Sequence, residues 1–346
     1  MDHVAIDLGG RESQICVRAA DGQILEEKRV ATTALRKYLE GRTEPSVVVV
    51  ETCAEAFRVA DDALELGHQV KVVPASLARS LGVGSRGMKN DVRDSRNLSE
   101  ASCRMSRLPS VHIPSAVSRE RKSVCGMREG LVGARTQLVN TVRGWMRGQG
   151  VGTMRRGAVE TYTKRMRDHY QLRRKTPVPD YVERQLKAIE SLNQLISEAD
   201  DHVENVAKSD PTCQLLMSMP GVGPVTALRF ASAIDDPHRF ASAHTLESYL
   251  GLTPGEDSSS EKKRLTSITK AGPKAVRWTL VQAAWVARRY RKSDPMVAWS
   301  FEVEARRGRP IAIVALARKM AGILWAMWKN GTKYDPAKGA ASRTPQ

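Results

Sequence analysis

The sequence predicts an α/β domain followed by a longer, mostly helical part. In the first 110 residues, short apolar segments alternate with helix-type segments, and a run of four valines at 47–50 is typical of a strand buried on both faces. After residue 115, apolar residues recur at the helical period. The chain has 346 residues, 41% of them hydrophobic, which is enough for a sizeable core and argues against wholesale disorder.

The N-terminal elements follow the order β-β-β-α-β-α-β-α. Asp21-Gly22 predicts a turn between the second and third strands, and Gly67 predicts the end of a helix. The predicted strands are 4–8, 14–18, 24–30, 46–50 and 69–73, and the predicted helices are 32–39, 54–66 and 91–107. This is the ribonuclease-H-like order, in which the fourth strand lies parallel to the first.

The patterning divides the chain into four parts. We expect the α/β domain at 1–110, a helical coiled-coil linker or arm at 111–210, a mostly α domain at 211–333 and a disordered tail at 334–346. Two long helical stretches in the arm, 119–145 and 181–206, are separated by Pro177 and Pro179. Such a helical pair serves as a spacer or as a dimer arm.

The charge is strongly positive and unevenly distributed. The chain carries 55 Lys and Arg against 38 Asp and Glu, a net charge of +17. Residues 104–175 hold 17 basic and 4 acidic residues, and residues 258–346 hold 19 basic and 5 acidic ones. The positive charges within each block repel one another unless a polyanion neutralises them. We therefore expect a nucleic-acid partner rather than a merely solvated surface.

Cysteine usage and hydropathy point to the cytoplasm. The five cysteines are odd in number and never occur as CxxC, which argues against a disulfide framework and a cysteine-based zinc site. The chain has no run of 18 apolar residues and no basic-then-apolar N-terminal signal, so we expect no transmembrane helix and no secretion.

Four carboxylates stand at the ends of predicted elements: Asp7 and Glu51 close the first and fourth strands, and Asp91 and Asp94 open a helix at i and i+3. Parallel neighbouring strands would place Asp7 beside Glu51. Four clustered acids need a cation, and Mg²⁺ or Mn²⁺ would suit phosphodiester chemistry. Singly, the same residues suit a turn, a strand end and a helix N-terminus.

A second candidate region lies in the C-terminal domain. The segment MPGVGPVTA, with Gly221 and Gly223, resembles a helix-hairpin-helix turn whose backbone amides meet a phosphate, although an ordinary Pro-Gly helix break reads the same way. Further on, Ser258, Ser259 and Ser260 precede a series of bases. These candidate phosphate ligands are Lys262, Lys263, Arg264, Lys270, Lys274 and Arg277. A serine near cations can attack a phosphate, but a serine-rich segment is also a common linker.

These motifs together resemble one family. AIDLGG, VVVETCA and KNDVRDS at the front, with MPGVGPVTA, YLGLTPGEDSSS and ITKAGPKAVR behind, resemble the DEDD transposases of the insertion sequence 110 family, relatives of the Piv DNA invertase. The similarity covers nearly the whole chain. Two motif sets in the same order make it more specific than a RuvC-like domain alone.

The resemblance implies a RuvC-like N-terminal domain in which Asp7, Glu51, Asp91 and Asp94 form the metal-binding tetrad for Mg²⁺ or Mn²⁺. It implies a C-terminal transposase domain whose nucleophile is Ser259, with Ser258 and Ser260 as neighbours to which the assignment could slip. It also implies a bridge-type guide RNA that pairs with donor and target DNA, assembly as homodimers or homotetramers, and a bacterial, nucleoid-associated location. Reaction would proceed through a phosphoserine–DNA intermediate.

Two other functions account for parts of the pattern. A metal-dependent, structure-specific DNA nuclease of the Holliday-junction resolvase type would use the tetrad without serine covalency. A nucleic-acid-binding scaffold would need neither, but intact acids at all four tetrad positions argue against it.

Overall fold

A computed structural model describes residues 1–80, 91–257 and 265–337. The chain forms two compact units, Met1–Pro114 (unit 1) and Ser115–Gln346 (unit 2). Residues 338–346 of the predicted tail lie outside the described residues, as do Ser258, Ser259, Ser260, Lys262, Lys263 and Arg264.

Unit 1 is built on one five-stranded sheet with the strand order β3-β2-β1-β4-β5. Its strands are β1 (His3–Asp7), β2 (Glu12–Arg18), β3 (Ile24–Ala31), β4 (Val47–Glu51) and β5 (Gln69–Val73). Its helices are α1 (Leu35–Glu40), α2 (Ala56–Glu65), α3 (Ala75–Ser80) and α4 (Asp91–Arg104). The first three strands form an antiparallel meander, and β1, β4 and β5 are parallel. The predicted parallel pairing of the first and fourth strands is confirmed; the short helix α3 was not predicted.

Helices cover both faces of this sheet. On one face, Ile6 and Val50 pack with residues of α1 and α2 such as Leu39 and Val59. On the other face, small residues of the central strands, Ala5 among them, pack against α4. Because both faces are covered, β1 and β4 are apolar along nearly their whole length.

Unit 2 is mostly helical. Its helices are α5 (Ala116–Gly148), α6 (Tyr162–Arg174), α7 (Asp180–Ser209), α8 (Pro211–Met217), α9 (Pro224–Ile234), α10 (Ala243–Tyr249), α11 (Lys274–Tyr290), α12 (Pro295–Arg307) and α13 (Arg309–Asn330). Two short strands, β6 (Pro254–Glu256) and β7 (Leu265–Ile268), pair antiparallel. Prolines at the first turns of α8, α9, α12 and α13 suit helix starts, where an amide hydrogen has no helical acceptor.

The long helices α5 and α7 lie antiparallel. Three polar pairs show the opposite order: Arg128–Asp200 and Arg135–Asn193 join the two helices, and Arg121 pairs with Asp210, directly after α7. At one end their apolar residues pack with α6 around the buried Tyr162 and Met166. At the other end they join the core formed by α9, α11 and α13. Both predicted helical stretches of the arm are thus single helices. The separate helix α6 between them was not predicted.

Helix α13 is long and apolar enough to cross a membrane, and half of its most apolar stretch is buried inside unit 2. Its buried residues, including Leu316, Met320 and Leu324, belong to the main core of that unit. The core helix of a soluble domain has the same length and composition, so this is weak evidence for a membrane span.

The turn between β1 and β2 fixes the position of Asp7. A Cβ added to Gly9 would lie 2.3 Å from the carbonyl oxygen of Glu12, so the backbone there is too close for any side chain. The Gly9 amide donates to Ser13 Oγ at 3.4 Å, the Ser13 and Thr32 hydroxyls are 2.8 Å apart, and Thr32 Oγ1 donates to the Gly9 carbonyl at 2.6 Å. This closed network ties the turn to the end of β3.

We expect Gly9→Ala to destabilise unit 1 by about 1–3 kcal/mol, because the backbone must move to relieve the contact with Glu12. Gly10→Ala is the matched control, since a Cβ at Gly10 meets nothing within 4 Å. Thermal and urea unfolding followed by circular dichroism measure both variants. Equal stability of the two variants would contradict this account of the turn.

Candidate active site

The carboxyl ends of β1 and β4 bring two of the predicted acids together. Ala5 pairs with Val49 and Ile6 with Val50, so the next residues, Asp7 and Glu51, lie side by side where the two parallel strands end. Side chains alternate along a strand, and Ala5 and Val49 both face α4. Asp7 and Glu51, two residues further, therefore face α4 as well, and both are half-buried.

Helix α4 brings a third acid to the same level. His3 Nδ1 lies 2.7 Å from Ser102 Oγ, and Cys16 Sγ lies 3.3 Å from Ser99 Oγ, so α4 runs antiparallel to β1. From His3 to Asp7 the strand advances about 13 Å. From Ser102 back to Asp94 the helix advances about 12 Å. Asp94 thus reaches the level of Asp7, one turn before the sheet-facing Leu98, and only 3% of it is exposed.

The fourth acid, Asp91, is oriented differently. It is exposed and forms an ion pair with Arg29, whose Nη2 lies 3.4 Å from Asp91 Oδ2. Arg29 is opposite Gln14 on β2, and Gln14 is opposite Asp7. One cross-strand row therefore contains Glu51, Asp7, the buried Gln14 and Arg29 in that order. Neither Gln14 nor Arg29 was predicted as a site residue. The β1–β2 register identifies Gln14, and the β2–β3 register then identifies Arg29.

Other contacts hold α4 against the sheet. Arg96 donates two hydrogen bonds of 2.6 Å to the Glu27 carboxylate on β3, and this lowers the pKa of Glu27 below its usual range. At the start of β1, burial and the neighbouring Lys71 lower the pKa of His3, whose Nδ1 lies 2.7 Å from Ser102 Oγ. The two contacts tie α4 to the edge strand β3 and to the start of the central strand β1.

The donor set suits a hard divalent cation, because carboxylate oxygens are the ligands that Mg²⁺ prefers. Across residues 1–80, 91–257 and 265–337, however, no three His, Cys, Asp or Glu side chains lie close enough to hold a metal ion. Asp7, Glu51 and Asp94 lie on the same face of the sheet, at the end where β1 and β4 stop, while Asp91 pairs with Arg29. The arrangement can concentrate negative charge where the two parallel strands end.

The predicted turn with Gly221 and Gly223 lies between α8 and α9 in unit 2. Gly221 has a φ of 85°, and a Cβ there would lie 2.3 Å from the Ala283 carbonyl oxygen on α11. The backbone conformation and the close packing against α11 therefore both require glycine at position 221. At Gly223, which precedes α9, a Cβ would meet nothing within 4 Å. Packing and backbone conformation already explain the glycine at position 221. A phosphate-binding role remains a prediction for both Gly221 and Gly223.

The segment that carries the three serines connects β6 and β7. Ser258–Ser260 and the bases Lys262, Lys263 and Arg264 lie outside the described residues. On either side of them, Pro254 pairs with Ile268 and Glu256 with Leu265. The strand pair thus holds both ends of the segment.

Two glycines close the base of this strand pair. A Cβ at Gly251 would lie 2.0 Å from the Ala271 carbonyl oxygen, and a Cβ at Gly272 would lie 2.0 Å from that of Tyr249. Arg277 Nη1 donates to the carbonyls of Leu250, Ala271 and Gly272 at 2.8 to 3.0 Å. The predicted phosphate ligand Arg277 thus clamps two backbone turns, whereas Lys270 and Lys274 are exposed.

Comparisons with known proteins match both units. Residues 4–149 match the transposase family model of the IS110 DEDD type, and residues 213–296 match the model described as Transposase IS116/IS110/IS902 family. A putative transposase of Sinorhizobium fredii, y4pF/y4sB, is 30% identical over 334 residues, 94% of this chain and 83% of the relative. The chain belongs to the IS110 family of insertion-sequence transposases.

Other relatives of this transposase match over nearly their full length. The transposase for insertion sequence element IS1328 of Yersinia enterocolitica is 27% identical over 341 residues, 96% of this chain and 98% of the relative. The transposase for IS1111A of Coxiella burnetii is 27% identical over 342 residues, 96% and 90% of the two chains. The resemblance seen in the sequence motifs is confirmed, and as a transposase the protein is a DNA-processing enzyme.

We expect Gly221→Ala to destabilise the transposase by several kcal/mol, because a side chain there opposes both the positive φ and the contact with α11. Gly223→Ala should leave the unfolding free energy nearly unchanged. Denaturant unfolding measures both, and duplex-DNA affinity at fixed salt is measured on the same samples. If Gly221→Ala folded as stably as the parent chain, the packing account of this turn would be wrong.

Proposed function

We propose that this transposase is an RNA-guided DNA recombinase that cuts and exchanges strands through a serine nucleophile, with Asp7, Glu51, Asp91 and Asp94 holding Mg²⁺ or Mn²⁺. The observation that carries the proposal is the placement of Asp7, Glu51 and Asp94 on one face of the sheet, at the carboxyl ends of β1 and β4. Membership of the IS110 family supports the same assignment.

The acids would hold a divalent cation, since carboxylates alone repel a phosphate. Bound there, Mg²⁺ would polarise the phosphate and neutralise the charge that develops on it. The buried Asp94 would be the least mobile of the four donors. Asp91 would have to leave Arg29 to join the others, and an exposed ion pair of this kind contributes about 0–1 kcal/mol, so that exchange is a small cost.

Ser259 would carry the covalent step. Its hydroxyl oxygen attacks the phosphorus, a serine Oγ–P bond forms, and the P–O bond to one DNA strand breaks. The leaving oxygen takes up a proton and becomes a free hydroxyl end. A hydroxyl end of another strand then attacks the phosphoserine, which restores the serine and conserves the bond without a high-energy cofactor.

The remaining parts would bind nucleic acid and other subunits. Basic residues of 104–175 and 258–346, with Lys270 and Lys274 exposed among them, would hold DNA and RNA backbones without reading sequence. A guide RNA would supply specificity by base pairing. The antiparallel α5 and α7 would form the helical arm of a homodimer or homotetramer, and one subunit's acids could then serve another's serine. A location at the bacterial nucleoid follows from this substrate.

Metal binding is testable without activity. We expect Mg²⁺ to raise the Tm of the parent chain, because an ion that binds only the folded state stabilises it by about 2.7 kcal/mol at 100 times Kd. Asp7→Asn and Glu51→Gln should abolish the shift. Glu40→Gln, at the end of α1, is the control and should keep it. The metal site would be contradicted if neither Mg²⁺ nor Mn²⁺ changed the Tm of the parent chain, or if the Asp7→Asn variant kept the full Tm shift.

The serine mechanism predicts a covalent protein–DNA adduct. Purified protein, the non-coding RNA flanking its element, labelled donor and target DNA and Mg²⁺ are mixed, denatured and run on a gel. We expect an adduct that disappears in Ser259→Ala and Asp7→Asn, and in the absence of RNA. The matched variants Ser258→Ala and Ser260→Ala should keep it. Loss in Ser258→Ala or Ser260→Ala instead moves the nucleophile, and metal-dependent cleavage with no adduct in any lane favours the structure-specific nuclease.

A further inference from the structure

A cleft of about 600 Å³ lies in unit 2 between the end of α5, the segment that connects α5 to α6, and the first turn of α6. We call it the arginine cleft, because its lining includes Arg143, Arg147, Arg155, Arg156 and Arg165. No Asp or Glu lines it within the described part of the chain. None of these arginines was a candidate ligand in the sequence analysis.

Among the described residues, four of these arginines have no anionic partner. Where the structure describes the chain, the guanidinium groups of Arg143, Arg147, Arg155 and Arg156 form no ion pair and no side-chain hydrogen bond, and all four are exposed. Arg143 only stacks over the Tyr162 ring, 5.5 Å from its centre. Arg143 and Arg147 are i and i+4 on α5, where like charges repel. An anion bound between them and the facing Arg155 and Arg156 would relieve that repulsion.

The fifth arginine builds the wall of the cleft. Arg165 donates to Thr161 Oγ1 at 3.1 Å, to the Arg155 carbonyl at 2.8 Å and to the Ala158 carbonyl at 2.6 Å. A Cβ at Gly157 would lie 2.8 Å from the Arg165 guanidinium carbon, so a side chain at position 157 would displace the Arg165 guanidinium. These bonds fix the backbone that carries Arg155 and Arg156.

The same segment is fastened to α6 at its start. His169 Nε2 donates to the Val151 carbonyl at 3.1 Å, and Arg174 donates to the Gln149 carbonyl. The segment's carbonyls are thus engaged by α6. These bonds from α6 hold the backbone of the segment that forms one side of the cleft.

The lower wall of the cleft is apolar. Met146 and Tyr162 belong to the buried cluster of α5, α6 and α7, and Met154 packs against it. An apolar floor beneath a guanidinium rim matches a nucleotide, whose base has a flat face that packs against apolar groups and whose sugar is flanked by two charged phosphates. The volume is within the range of about 300–1,000 Å³ that small ligands occupy. The backbone of an intact duplex lies on a wide convex cylinder and leaves no base free to enter such a cleft.

We propose that the arginine cleft binds a single-stranded nucleic-acid segment, with one unpaired nucleotide over Met154 and its flanking phosphates on Arg143, Arg147, Arg155 and Arg156. The proposal deepens the proposed function, since both require nucleic acid, but it does not depend on the serine chemistry. RNA and DNA strands share the chemistry recognised here, and the test separates them.

The first test removes charge. Fluorescence anisotropy measures the affinity of labelled 12-nucleotide single-stranded RNA, single-stranded DNA of the same sequence and a 12-base-pair duplex, over a series of salt concentrations. We expect Arg155→Gln/Arg156→Gln to weaken single-strand binding by about 10- to 100-fold and to reduce the salt slope by about 1.4, at 0.7 per phosphate. Lys164→Gln/Arg173→Gln removes two exposed cations of α6 outside the cleft and should have a much smaller effect.

The second test keeps every charge. Gly157→Ala forces Arg165 out of its position and loosens the wall, so single-strand affinity should fall about threefold or more at constant net charge. Gly148→Ala is the matched control, because a Cβ there meets nothing within 4 Å. Thermal unfolding of each variant checks that unit 2 remains folded.

The outcomes separate the proposals. Loss of single-strand binding confined to the cleft variants supports the arginine cleft, and the probe that loses more affinity identifies RNA or DNA as the strand. An equal loss of single-strand affinity in both double variants would mean that any exposed cation of this region contributes alike, and it would overturn the proposal. A loss of duplex affinity alone would overturn it as well. Absence of the serine adduct, with the cleft effects intact, would overturn the serine mechanism and leave this site standing.

Discussion

The register between the parallel strands β1 and β4 is the constraint on which the candidate active site depends. Side chains alternate along a strand, so a slip of one residue would turn Asp7 or Glu51 to the opposite face, towards α1 and α2. The register is fixed because Val4, Ile6, Val48 and Val50 must all enter the core on that opposite face. Apolar packing on one face of the sheet thereby determines where two carboxylates lie on the other.

Helix α4 depends on the same register. Small Ala5 on the central strand lets α4 pack closely, and the contacts His3–Ser102 and Arg96–Glu27 fix the helix along and across the sheet. Asp94 reaches the level of Asp7 only because strand and helix advance by nearly equal lengths over the intervening residues. Asp94 is only 3% exposed, so the same packing that places it at the level of Asp7 also holds it largely out of water.

Much of unit 1 could be predicted from the sequence, because its signals are local. The valine run gives β4, and Asp21-Gly22 marks the turn that joins β2 to β3. What the sequence did not reveal depends on contacts between distant residues. Arg29 meets Asp91 only through the pairing of three strands, and the role of Arg277 depends on carbonyls of two turns brought together by Gly251 and Gly272. An arginine's type and position in the sequence do not reveal what its guanidinium contacts.

This distinction changes how the charge of +17 should be read. Several arginines form ion pairs within unit 2: Arg167 pairs with Glu183 and Glu190, Arg121 with Asp210, and Arg318 with Glu247. Such cations hold helices together and offer little to a phosphate. Charge density along the sequence therefore overstates the binding surface, whereas unpaired guanidinium groups gathered around one concavity localise it. In the basic block 104–175, such a group lies at the arginine cleft. There Arg165 donates its hydrogen bonds to the wall of the cleft, and the guanidinium groups of the neighbouring arginines are available to a ligand.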